Sequence, residues 1–138
     1  MNGTLWQSSL NLSLLFTLFA LVAAITAVGH AEEKPPAKLL RHVVLFKFKD
    51  DVSAEQVQEV VAAFAALPKK IDAIAGFEHG TDVSVEEKSQ GFTHCFVVTF
   101  RDAKGRDAYL PHPAHQEFVK LVGPRIDKVL VFDYWTKE

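Results

Sequence analysis

Residues 41–49, RHVVLFKFK, set the reading of everything around them. The segment is dominated by β-branched and aromatic side chains, and its alternation puts His42, Val44, Phe46 and Phe48 on one face of a strand. Asp50 and Asp51 break the run. Ser53 and Gln56 then stand at capping-box spacing and open a helix in which Val57, Val60, Val61, Phe64 and Leu67 recur every three or four residues. That apolar stripe needs a sheet to pack on, and the strand before it is the first candidate. Pro68 ends or kinks the helix, and residues 71–75 make a further turn closed at Gly76.

Beyond Gly76, a weaker strand over 77–85, a charged turn over 86–91 and a strong strand over 92–100 (GFTHCFVVTF with its leading Gly91) read as a hairpin. The strong strand places Phe92, His94, Phe96, Val98 and Phe100 on one face. Residues 102–110 read as a short helix, 113–122 as a second helical segment bounded by Gly123-Pro124, and 128–135 as the last strand. The order β, α, β, β, α, β predicts an α+β, ferredoxin-like chain: a four-stranded antiparallel sheet with its helices on one face. The other sheet face is expected to carry Val43, Leu45, Val97, Val129 and Val131, too much apolar surface to leave in water. Face-to-face pairing of two sheets in a homodimer, a dimeric α+β barrel, is the economical cover.

All charged side chains lie at or after Glu32. Within the uncharged opening, the stretch 10–28 (LNLSLLFTLFALVAAITAV) is apolar enough for an export signal, and Gly29 and Ala31 occupy −3 and −1 of a cut before Glu32. We therefore expect residues 1–31 to be a signal peptide, or else an uncleaved membrane anchor, residues 32–38 to be a spacer marked by Pro35-Pro36, and residues 39–138 to be the domain. The domain is then exported, to periplasm or extracellular space, or tethered by its N-terminal segment. The single cysteine, Cys95, offers no intrachain disulfide, so the core or an oligomer has to hold the domain together. A formal net charge of −2 without a basic stripe argues against nucleic acid as a partner.

The densest polar constellation is YLPHPAH at 109–115. A helix starting at Pro113 puts His115, Phe118, Val119 and Val122 along one side, so His115 points toward the apolar interior. A buried neutral imidazole with a fixed tautomer serves as a general base or acid near pH 7, and Tyr109 is an adjacent phenolic partner. His42 and His94 occupy the Phe-rich faces of their strands, so three histidines and a tyrosine are placed between sheet and helices. Each of these side chains also has a plainer reading, as a core residue bonded to backbone or water. His112 and His115 stand at i, i+3, but no acid or cysteine completes a metal motif, and we assign no metal. There is no phosphate-binding glycine loop, no serine elbow and no cofactor motif.

RHVVLFKFK, GFTHCFVVTF, YLPHPAH and the terminal KVLVFDYW, in that order, make the chain resemble the stress-responsive A/B barrel (Dabb) family across about residues 39–135. The resemblance implies a dimeric ferredoxin-like barrel. By similarity to the family's plant polyketide cyclases, which close a linear chain by aldol-type chemistry without a cofactor, it implies His115 as base, Tyr109 as the group that orients or polarises a carbonyl, and His42 and His94 as ligand contacts. Two functions follow: a pocket for a small apolar or polyketide-like ligand, with or without acid–base catalysis, or a stress-protective dimer whose histidines only complete the core.

Overall fold

A computed structural model describes residues 38–137. The expected leader (1–31) and nearly all of the spacer lie outside the described residues. No helix among the described residues is long and apolar enough to cross a membrane. The elements in order are β1 (Leu40–Phe48), α1 (Ala54–Ala65), β2 (Gly76–Thr81), β3 (His94–Phe100), α2 (Ala103–Tyr109), α3 (Pro113–Val122) and β4 (Ile126–Trp135). One sheet, in the order β2-β3-β1-β4, is antiparallel throughout. The expected ferredoxin-like α+β arrangement is what forms.

The first helix starts where its capping signal says it should. The Gln56 amide donates to Ser53 Oγ at 3.3 Å, and the Ser53 amide donates to Gln56 Oε1 at 2.9 Å, so two of the helix's unpaired N–H groups find partners. The helix then buries Val60 and Phe64 against the sheet. The core is built of rings: Phe64 lies 4.5 Å from Phe96 and 4.4 Å from Phe118 between centroids, and Phe46 packs 5.2 Å from Phe96. These are offset and tilted pairs, the arrangement the ring quadrupoles favour.

The second strand is shorter than its pattern. Asp82 still donates its amide to the Thr93 carbonyl at 2.9 Å, but its carboxylate then accepts the Ser84 amide at 2.9 Å and turns the chain out of the ladder. Val83 and Val85, read as strand residues, are consequently exposed. On the return, Gly91 adopts φ +83°, a left-handed conformation that strains any residue with a Cβ.

A second correction concerns β4. Its ladder with β1 changes register between Lys47 and Phe48, where Ile126 pairs with Phe48 and Lys128 with Lys47, leaving Asp127 as an extra residue. From there Val129 faces Phe46, Val131 faces Val44 and Asp133 faces His42. Val129 and Val131 thus lie on the helix-covered side and not on the bare one. The outer face carries Val43, Leu45 and Val97 as expected, and in addition Leu130, Phe132 and Tyr134, which are exposed in the single chain.

Candidate functional site

The helices cover the middle of the sheet and leave β4 partly open. Val129 and Val131, although on the inner side, remain 51% and 53% exposed. Between this strand and helices α2 and α3 lies a cavity of about 500 Å³, a size ordinary for small-molecule sites. Val44, Phe46, Phe118, Val122, Val129 and Val131 are among its apolar wall residues, and its polar groups include those of His42, Arg106, Tyr109, His115 and Asp133.

The sharp turn between α2 and α3 positions His115. His112, extended because a proline follows it, caps α3 by accepting the Ala114 amide on Nδ1 at 3.2 Å, and Pro113 takes the first helical position, where no N–H is needed. The third residue of the helix is then His115, whose ring sits 4.2 Å from that of Tyr109 between centroids. His115 Nδ1 lies 2.9 Å from the Leu110 carbonyl oxygen, which also accepts from Gln116 Nε2 at 2.7 Å. A carbonyl only accepts, so Nδ1 carries the hydrogen and the neutral ring keeps its lone pair on Nε2. Burial lowers the basicity of His115, the Leu110 carbonyl partly opposes this, and the neighbouring His42 and His112 lower it further. Tyr109 is fully buried, and burial raises its pKa, so its hydroxyl stays protonated and remains a donor.

His42 is held from the strand side. Its Nδ1 donates to Asp133 Oδ1 at 2.7 Å, directly across the β1–β4 ladder. Asp133 Oδ2 accepts from Arg106 Nη1 at 3.0 Å, and the same guanidinium donates through Nη2 (3.0 Å) and Nε (3.2 Å) to Asp107 Oδ1. The His42 and Tyr109 rings meet edge to face at 5.9 Å.

Of the four residues read from the sequence, the structure brings His42, Tyr109 and His115 to one cavity. His94 does not join them. It shares the inner face, but it pairs with Phe46 while His42 pairs with Val98, four residues or roughly 13 Å along the strand. The Phe46 and Phe96 rings fill the space between, and His94 instead opens onto a groove between α1 and β2 with His79. Its ring contacts Thr93 Oγ1 at 2.9 Å, and burial, then His79, lowers its pKa.

Arg106 and Asp133 were missed. Asp133 had a signal: it is the one acid in the apolar run 129–135, and an isolated carboxylate in such a strand needs a partner. Arg106 had a weaker one, its place three residues before Tyr109 and so on the same helix face.

Comparison with known proteins identifies the fold's lineage. The family model for the stress responsive A/B barrel domain, Dabb, matches residues 40–136. The chain belongs to the Dabb family. Among Dabb relatives it is 43% identical over 103 residues to stress-response A/B barrel domain-containing protein HS1 of Arabidopsis thaliana, covering 75% of this chain and 92% of that one. To olivetolic acid cyclase of Cannabis sativa it is 33% identical over 95 residues, covering 69% and 94%. Its fold is similar to that of the solved hydroxynitrile lyase from Passiflora edulis, at 28% identity and TM-score 0.70 over 75% of this chain and 97% of that one. A Jannaschia structure described as a dimeric ferredoxin-like protein aligns at 27% identity and TM-score 0.62, covering 70% and 97%.

Proposed function

We propose that this Dabb chain binds a small, largely apolar carbonyl compound in the cavity beside His115 and acts on it by cofactor-independent acid–base chemistry of the cyclase or lyase type. The observation that carries the reading is the Tyr109–His115 ring contact on the wall of an apolar cavity, with His115 Nδ1 tied to the Leu110 carbonyl. A relative named as a cyclase and a structural neighbour named as a lyase support the reaction class. A filled interior behind His115 would have favoured a purely structural, stress-protective dimer; open space there favours a ligand.

In the proposed step, His115 Nε2 removes a proton from the carbon next to a ligand carbonyl while the Tyr109 hydroxyl donates a hydrogen bond to the oxygen that gains charge. The resulting carbanion equivalent attacks a second carbonyl of the same molecule to form the new carbon–carbon bond. The imidazolium of His115 returns its proton to the oxygen so produced. Read backwards, the same groups cleave such a bond. Exclusion of water by the apolar walls favours each hydrogen bond made inside.

The unit that does this is a homodimer, supported by the apolar outer sheet face and by dimeric structural neighbours. Export rests on the uncharged residues 1–31, with Gly29 and Ala31 before the cut. An intact mass beginning at Glu32 on protein recovered outside the cytoplasm is expected; protein still beginning at Met1 there would replace the signal peptide with an anchor.

Non-denaturing mass spectrometry on protein from its native envelope, wild type beside His115→Ala, tests the binding reading. A dimer carrying a small molecule that the variant loses is the expected result. Empty dimers in both samples would return the protein to the structural reading.

A further inference from the structure

Asp133 is the only group described against the Nδ1 of His42, and Asp133 is itself gripped from its other oxygen. The Asp133 side chain is 28% exposed, whereas that of His42 is only 8% exposed. The carboxylate therefore has water available as an alternative and the imidazole has little. Left alone, a carboxylate among the valines of β4 is drawn toward solvent, because burial of a charge is costly without a partner. Arg106 supplies that partner, and it is fixed from behind by two N–H groups on one oxygen of Asp107. The planar fork leaves Nη1 aimed at Asp133 Oδ2 at 3.0 Å, so Oδ1 stays toward His42.

The consequence for His42 is chemical. A neutral histidine in water favours the Nε2–H form, so an Nδ1–H form has to be imposed by an acceptor. We propose that Arg106 is a positioning residue: through Asp133 it holds His42 as the Nδ1–H tautomer and so leaves Nε2 of His42 as a second proton acceptor in the cavity of His115. The functional half of this statement rests on the acid–base reading of the cavity; the tautomer does not. Arg106 lies three residues before Tyr109, so one face of α2 delivers both the phenol and the guanidinium to the cavity.

The arrangement also explains why Arg106 is more than a surface ion pair. Exposed pairs contribute little because their side chains are mobile and screened. Here the Arg106 side chain is 29% exposed, engages two carboxylates through three N–H groups, and stands between a solvent-side acid and a buried base.

The test is ¹⁵N NMR of the histidine rings in the intact protein at about pH 8, where an ordinary histidine is neutral. In the wild type, His42 is expected to show one tautomer, Nδ1–H. In Arg106→Met the Nε2–H form should rise at least fivefold in ratio, as it should in Asp133→Ala, while His115, held by the Leu110 carbonyl, keeps its own tautomer in every sample. Arg106→Lys, which restores the charge without the fork, should fall between. If Arg106→Met folds poorly, Asp107→Asn loosens the same clamp and should move the ratio in the same direction. A His42 that stays Nδ1–H in Arg106→Met or in Asp107→Asn overturns the proposal. A changed tautomer with unaltered ligand retention would leave the positioning role standing and remove His42 from the function.

Discussion

The rings of Tyr109 and His115 lie 4.2 Å apart although they belong to different helices. The contact exists because Pro113 stops α2 from running on, and because the carbonyl of Leu110, which caps that helix, is satisfied by His115. One hydrogen bond therefore satisfies a cap carbonyl, fixes a tautomer and sets a phenol beside a base.

Tyr109→Phe separates the hydroxyl from the ring. The ring packs against Phe100 and His42 as well as His115, so the substitution should cost less than about 1.5 kcal/mol of stability. Turnover of an accepted carbonyl substrate should drop by about 100-fold, the usual scale for a lost oxyanion donor. Steady-state kinetics beside a thermal melt checks both halves. Tyr109→Ala, by contrast, should cost about 3–5 kcal/mol in denaturant unfolding through the void it leaves.

Acid should destabilise the fold in a defined window. His115 and His94 are both less basic when folded than their ordinary value of 6.5, chiefly through burial. The unfolded chain then binds more protons just below that value, and stability rises with pH across the interval. It is complete above pH 6.5 and is lost as pH falls through 6.5 toward the depressed folded values. Melting at pH 7.5 and 5.5 should show the lower midpoint in acid; an equal or higher one would contradict the burial assigned to these rings. In kinetics, neutral His115 persists below 6.5, so the acidic limb of kcat/KM should lie below that point too.

Much of this is legible in the sequence. The alternation of residues 41–49 places β1 within a residue and the Ser53/Gln56 box places the start of α1, because local hydrogen bonds and side-chain period decide both, while the helix ends at Ala65, short of the Leu67 in its apolar stripe. Proline and histidine chemistry likewise placed His115. A local turn at Asp82 accounts for the early end of β2; the other misreadings needed long-range partners that periodicity does not give. Facing alone grouped His94 with His42, when distance along the strand separates them. A single extra residue in β4 reversed the assignment of Val129 and Val131. Arg106 lines the cavity, but its tie to His42 runs through Asp133, and that pairing spans 27 residues.

Phe132→Asp addresses the proposed dimer. Phe132 is 60% exposed on the outer face and contributes nothing to the cavity wall. A charge there should leave the single-chain fold intact while disfavouring sheet-on-sheet burial. Light scattering at micromolar concentration should report a monomer; a persistent dimer would move the interface elsewhere.

Ser53→Ala removes the cap of α1 at a point remote from the cavity. The expected loss is about 1 kcal/mol, or roughly 4–8 °C in Tm for a domain of this length. Ligand retention should be unaffected, which separates a general weakening of the fold from damage to the site.

Asp127 gives one strand two destinations. Because it has no ladder partner at the Lys47–Phe48 step, every later residue of β4 changes sides: Asp133 turns inward to His42, and Phe132 and Tyr134 turn outward. Deleting it would send the phenylalanine and tyrosine into the cavity and strand the carboxylate on the outer sheet face. Residue-count changes should therefore be tolerated in the exposed 82–91 connection and ruinous here. A gap of a single residue at the mouth of β4 would serve as a marker for relatives that have given up both the pocket and the proposed pairing surface at once.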